Sequence, residues 1–351
     1  MLWHEHLRRT AKLLLTGTAH YTGLLGSIRR VYMKDQALIL MYHRVSPKGK
    51  GVPDYSPNGI SVTPAEFEMQ MRFLREHYDI VPLSHIVSAV RGERAFTPNM
   101  CAVTFDDGWH DVYEHAFLIL KRYSIPATIY LTTGFIDGTE WFWEERSKYL
   151  LALIYKAWKT PSQKSEAAMR TQVDLEKFSL GKMLQIQAKL LPAFLLQEGR
   201  FIKEWDPERR LALMQTLERL ATQLCPDAPR PFMNWSEVQE MSRGNIEFGS
   251  HTISHPALPD LSAEEARNEL NGAAKRIESN LGQVPTNFAY PYGKFNEHVR
   301  RQVLQEGLAS ASTTRLGLVK RNADPYALNR VNVCSDVCGH QPLFAARILG
   351  F

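Results

Sequence analysis

Two adjacent aspartates, Asp106 and Asp107, stand between the apolar run Cys101-Ala102-Val103-Thr104-Phe105 and Gly108. A β-favouring run that stops at Asp-Asp-Gly reads as a buried strand ending in a turn. Successive side chains on extended backbone point to opposite sides. Two neighbouring carboxylates at a strand end can therefore divide the work, one binding a cation while the other stays available as a base. On this segment alone, an Asp-Gly turn on the surface accounts for the sequence equally well. A second group, Gly249-Ser250-His251-Thr252-Ile253-Ser254-His255-Pro256, follows the short run Ile246-Glu247-Phe248. Histidines four apart would share a helix face, but Pro256 disfavours helical geometry at His255. Both histidines are therefore expected on a structured loop at a strand end. Neutral imidazoles suit zinc and its first-row neighbours, and a carboxylate can complete a three-ligand site with an open position.

The elements that must position these groups are legible as alternating short apolar runs and helical patterns. Strands are predicted at 37–42, 101–105, 127–131, 246–248, 287–290, 310–313 and 328–333. Thr63-Pro64-Ala65-Glu66 and Ser262-Ala263-Glu264-Glu265 read as capped helix starts, with Gly282 as a stop. Such alternation favours a parallel sheet, either a barrel or a doubly wound sheet. In a barrel, both candidate motifs would open onto the face at the strand C-termini. From Asp137 to Phe232 the chain turns helix-rich and strand-poor, which predicts a helical insertion at 137–232. Trp141-Phe142-Trp143 opens it, so Trp141 and Trp143 are candidate sugar-stacking residues, although three successive aromatics also anchor helices to cores.

Composition narrows the partners. The 351 residues suffice for one large α/β domain or two smaller ones. A hydrophobic content of 44% and a formal net charge of +5 are ordinary for a globular protein, and no basic tract accompanies a nucleic-acid-binding motif, so no nucleic acid is expected as partner. Four cysteines are too few for a disulfide framework; Cys334, Cys338 and His340 form at most a faint zinc-site pattern. Residues 1–36 are set apart as an amphipathic, basic segment. Their apolar run is too broken for a spanning helix and shows no compact signal-peptide core. A peripheral association with an anionic membrane surface and a simple packing helix both fit. The expected location is cytoplasmic, at the inner face of the membrane.

Taken together, Thr104-Phe105-Asp106-Asp107-Gly108, His251-Thr252-Ile253-Ser254-His255 and Phe288-Ala289-Tyr290-Pro291-Tyr292-Gly293 resemble the leading motifs of the metal-dependent polysaccharide deacetylases, carbohydrate esterase family four. The resemblance spans roughly residues 37–136 and 233–333 in motif order. It implies an α/β fold, a distorted (β/α) barrel of about seven strands occupying 37–351 around the insertion. It also implies that Asp107, His251 and His255 hold a divalent metal, most simply Zn2+, with Asp106 as general base and the backbone N–H of Tyr292 at the oxyanion. Two features depart from the family. The arginine that orients the base is replaced by Ala289, and the C-terminal Leu-x-His motif that supplies the acid is not evident. The run Leu40-Met41-Tyr42-His43 is similar to the permuted branch, the deacetylases of exopolysaccharide export systems, in which an N-terminal strand supplies that histidine. His43 is thereby assigned as the acid. Arg330 or Arg44 would stand in for the missing arginine, with a structural salt bridge as the other role for either.

The expected reaction is hydrolysis of N-acetyl groups on amino sugars of a polysaccharide or glycan precursor. Tyr290, Pro291, Trp141, Trp143 and Arg330 are the candidate substrate contacts. Two alternatives stay open: a deacetylase or deformylase of a lipid-linked sugar, and a catalytically silent glycan-binding barrel, which the alanine at position 289 favours.

Overall fold

A computed structural model describes residues 14–47, 59–137, 143–159, 166–224 and 230–350. Seven strands form the centre: β1 (Gln36–Tyr42), β2 (Met100–Phe105), β3 (Ala127–Leu131), β4 (Ile246–Ser250), β5 (Asn287–Ala289), β6 (Ser310–Leu316) and β7 (Leu328–Asn332). Each pairs in parallel with the next, and β7 pairs back onto β1, which closes the barrel. All seven were expected from their apolar runs, and each lies within a few residues of its predicted bounds. β1, β2 and β3 are buried along nearly their whole length, as strands packed on both faces must be. Short strands flank the closed ring: Val319–Lys320 pairs antiparallel with β1, and Asp79–Ile80 pairs parallel with β2.

Local chemistry sets the helix starts. Thr63 accepts from Glu66 N at 3.2 Å and donates its own N–H to Glu66 Oε2 at 2.8 Å, closing the capping box of helix Pro64–His77. Ser262 and Glu265 repeat it for Ala263–Leu281, whose C-cap Gly282 takes the left-handed φ of 70°. Asn234 and Glu237 form a third box, for Trp235–Ser242.

The described residues divide into two compact units, one of 14–46, 59–137 and 231–350, the other of 143–159 and 166–224 with residues 47 and 230. The first is the barrel, and it retains Asp137 and Phe232, the predicted ends of the insertion. The second holds helices Trp143–Lys159, Glu166–Glu176, Leu191–Lys203 and Pro207–Leu224 and, among its described residues, no strand. It has its own apolar core, including Leu151, Ile154, Leu213 and Leu217. Trp143 packs against that core, with the Arg210 guanidinium 5.2 Å from its ring centroid. Trp143 thus takes the packing role that the sequence also allowed. Trp141 lies outside the described residues.

Truncating the first cap tests this reading of the helix starts. Thr63→Ala should lower the unfolding free energy by about 1 kcal/mol, seen as a lower urea midpoint at unchanged slope.

Candidate metal centre and active site

Parallel closure brings His43, Asp106, Asp107 and His251 to the end of the barrel where the strands finish. β1 and β2 run in register to Tyr42 opposite Phe105, so His43 and Asp106 emerge side by side, and Asp106 N–H donates to Tyr42 O at 3.0 Å. The chain then turns sharply. Asp107 and Gly108 both take left-handed φ, 76° and 87°, and a Cβ on Gly108 would sit 2.9 Å from Ile136 Cδ1. That turn sends the two carboxylates apart.

Asp106 enters the barrel interior, where Arg330 from β7 donates to both of its oxygens at 2.7 Å. The guanidinium is itself fully buried. It donates to Thr313 O at 3.0 Å and Thr104 Oγ1 at 3.2 Å and lies 5.4 Å from the Tyr130 ring centroid. Burial would raise the Asp106 pKa, but the charge and hydrogen bonds of Arg330 outweigh it and hold the carboxyl well below the usual range. On its other side, Asp106 Oδ2 stands 3.9 Å from His43 Nε2.

Asp107 turns the opposite way. Its Oδ1 lies 3.6 Å from His251 Nε2 and 3.6 Å from His255 Nε2, and all three residues are buried. His251 follows β4 directly, and its Nδ1 lies 2.7 Å from Ala289 O, a contact that makes Nδ1 a donor and turns Nε2 toward Asp107. His255 sits at φ 59°, off any helix, in line with the bar that Pro256 sets against helical geometry there. Burial, with the neighbouring His251 second, pushes its pKa down to about 3, so the ring is neutral. The loop between the histidines is pinned by Glu269, whose carboxylate accepts from Ile253 N, Ser254 N and Ser254 Oγ at 2.8, 2.9 and 2.6 Å.

These donors fit a small divalent cation. Ligands ~2.0–2.1 Å from a tetrahedral zinc stand roughly 3.3 Å from one another, close to the observed 3.6 Å. Two imidazoles and one carboxylate complete the match. Behind Asp107, Trp109 Nε1 donates to Oδ2 at 2.9 Å. The Arg44 guanidinium lies 4.6 Å from the Trp109 ring centroid and is itself paired with Asp111 at 2.8 Å. Arg44 therefore supports the Asp107 side; Arg330 alone serves Asp106.

Several expected substrate contacts fail on burial. Tyr290 is fully buried, donating to Tyr326 O at 3.1 Å and stacking on Phe295, so it belongs to the core. Pro291 is buried beside it. Arg330 cannot reach a substrate from inside the barrel; the charge of Asp106 drew it there. Tyr292 does stand at the mouth, with φ 58° and its ring 4.6 Å from that of His255. Cys334 and Cys338 are buried, and among the described residues Asp107, His251 and His255 are the one such ligand cluster, so the faint second zinc pattern is not realised. Trp109, Asp111 and Glu269 were missed, whereas Arg44 was named and takes the salt-bridge role given as its alternative. Trp109 directly follows the Asp-Asp-Gly motif, a signal that was there to be used; the other two act through tertiary contacts that no local spacing announces.

The Arg330–Asp106 pair can be tested in metal-free protein. Arg330→Leu strands a buried carboxylate and should cost about 3–5 kcal/mol of stability, much of it recovered in Arg330→Leu/Asp106→Leu. With Arg330 present, the folded Asp106 pKa lies below the unfolded value of about 3.9. Its contribution is therefore complete above that range and is lost as pH falls toward the lowered folded value. In Arg330→Leu the sign reverses, because an unpaired buried carboxyl titrates above its unfolded pKa and the variant gains stability on acidification. Urea unfolding across acidic pH reads both effects.

The family model for polysaccharide deacetylase matches residues 93–175 and 197–311. The poly-β-1,6-N-acetyl-D-glucosamine N-deacetylase of Staphylococcus epidermidis is 32% identical over 243 residues, covering 65% of this chain and 76% of that protein. Among solved structures, the Streptococcus pyogenes deacetylase PplD in complex with acetate aligns with a TM-score of 0.58 at 16% identity, over 91% of this chain and all of that one. IcaB from Ammonifex degensii aligns at 0.57 and 18% identity, over 91% and 99% of the two chains. The two structures speak for the fold alone. The family match over more than half the sequence and the staphylococcal relative go further, and the chain belongs to the polysaccharide deacetylase family.

Proposed function

We propose that this protein is a metal-dependent hydrolase that removes N-acetyl groups from amino sugars of a polysaccharide. The observation that carries this reading is the division of the aspartates, with Asp107 facing His251 and His255 at 3.6 Å and Asp106 facing Arg330 and His43. A divalent cation held by Asp107, His251 and His255, most simply zinc, would supply Lewis-acid polarisation of the amide carbonyl and a water of lowered pKa.

The chain's own residues do the rest. Arg330 keeps Asp106 ionised and aims both of its oxygens. A carboxylate of such low proton affinity accepts a proton only as the attacking oxygen bonds to carbon and its proton becomes strongly acidic. Deprotonation is thereby tied to attack. His43, at the end of β1 and beside Asp106, returns a proton to the departing amine, which cannot leave as an anion. The backbone N–H of Tyr292, at the mouth beside His255, stabilises the oxyanion. The silent-barrel reading rested on the arginine missing at Ala289, and the Arg330 fork removes that motive. Because the staphylococcal relative is named for poly-β-1,6-N-acetyl-D-glucosamine, β-1,6-linked N-acetylglucosamine oligomers are the first substrate to try.

Asp106→Asn should keep its metal, measured by elemental analysis, while acetate release from those oligomers falls at least ~100-fold. Metal-replete protein with undiminished turnover would remove Asp106 as the base. Trp109→Phe removes the indole donor to Asp107 without touching a ligand. Its zinc affinity, read by competition with a chromophoric chelator, should drop about 10–100-fold.

A further inference from the structure

Residues 14–32 carry apolar surface that the barrel does not use. They form a helix over 14–21 and a second, Leu24–Tyr32, that leads within four residues into β1. Leu14, Leu15, Tyr21 and Val31 are between 67% and 83% exposed, and Leu24 and Tyr32 about half exposed. On the second helix, Leu24, Ile28 and Val31 follow the i, i+4, i+7 spacing of one stripe, whereas Leu25 and Met33 are the residues buried in the protein.

Two observations indicate what covers this face. The first is charge. Arg8, Arg9, Lys12, Arg29, Arg30 and Lys34 fall between Glu5 and Asp35 with no acidic residue among them. The second is the treatment of the hydroxyls on these helices. Thr18 donates to Leu14 O at 3.0 Å, Thr22 to Thr18 O at 2.8 Å and Ser27 to Gly23 O at 3.3 Å. In water such exposed hydroxyls need no partner within the protein. Turned back onto their own helices, they present no unsatisfied donor when the face leaves water.

We propose that residues 14–34 dock this protein on an anionic lipid bilayer, with the Leu and Tyr side chains in the headgroup–acyl boundary and the basic side chains on the lipid phosphates. No described helix is long and apolar enough to cross a membrane. Docking leaves the catalytic mouth uncovered. The helix joins β1 at its N-terminal end and His43 follows its C-terminal end, so the two occupy opposite ends of one strand.

The test is sedimentation of the full chain with extruded vesicles. Binding to phosphatidylglycerol–phosphatidylcholine vesicles should exceed binding to pure phosphatidylcholine at least about tenfold and weaken with salt. Leu24→Glu/Val31→Glu should reduce binding about tenfold or more with the thermal midpoint unchanged. If that variant is destabilised, the exposed pair Arg30→Glu/Lys34→Glu reads the same surface and should abolish the preference for anionic vesicles. Equal binding to both vesicle types, or variants that bind like the parent, would overturn the proposal. A solution dimer that Leu24→Glu/Val31→Glu dissociates would also overturn it, by assigning the face to a second copy of the chain. Each readout is independent of acetate release, so docking and the deacetylase reading stand or fall separately.

Discussion

A guanidinium fork in the middle of the barrel decides how the two aspartates divide. Arg330 and Asp106 are both withdrawn from water, and withdrawing two charges costs several kcal/mol per ion. That cost is offset only where geometry is good and the remaining donors are used. Here both oxygens are met at 2.7 Å, and two of the three remaining guanidinium donors go to Thr104 and to the Thr313 carbonyl. An apolar interior of the same volume would serve stability as well or better. What an apolar interior could not do is hold a carboxylate ionised and aimed at a strand end. The polar residues inside the barrel, Thr104 and Tyr130 among them, make sense as the lining this fork requires.

Once Asp106 is committed inward, Asp107 must face the other way, and the backbone bears the strain. Asp107, Thr252, His255 and Tyr292 all take left-handed φ without being glycine, and all four sit at the mouth. Each such residue costs of order 1–3 kcal/mol and persists only where surrounding contacts over-determine it. Those contacts can be named. Trp109 holds Asp107, Thr252 Oγ1 accepts from His255 N at 2.9 Å, Glu269 clamps the loop between the histidines, and Thr314 donates to Tyr292 O at 3.3 Å. The strain buys convergence of ligands from β2 and β4 that unstrained strand ends would leave pointing past one another.

What could be read in the sequence follows the range of the forces involved. The strands β1 to β7 showed as apolar runs because burial on both faces leaves a local composition signal, and the helix starts at Thr63 and Ser262 showed because capping boxes act over three residues. The histidine pair and the paired aspartates were legible for the same reason. The partner of Asp106 was narrowed only to Arg330 or Arg44, since Arg330 lies 224 residues away and reaches it only across a closed barrel. Tyr290 and Pro291 misled in the opposite sense. They belong to a functional motif by position, but their side chains face the core, and a motif string does not say which of its residues point inward. The Asn234–Glu237 box was as local as the other two and could have been read the same way.

The position of the arginine bears directly on what the alanine at 289 means. His251 sits against the backbone carbonyl of Ala289, and that contact is indifferent to the side chain at 289. The fork that orients Asp106 is defined by where its nitrogens end, not by the strand from which it starts. β7 supplies it near an irregular step in its pairing with β6, between Leu328 and Arg330. Such a step re-aims side chains at a barrel rim. An arginine on β7 therefore supplies the ionised, aimed carboxylate, and the backbone of β5 serves His251 whichever side chain stands at 289. Ala289 reads as the sign of a relocated arginine, and an inactive barrel would have had no reason to keep so costly a buried pair.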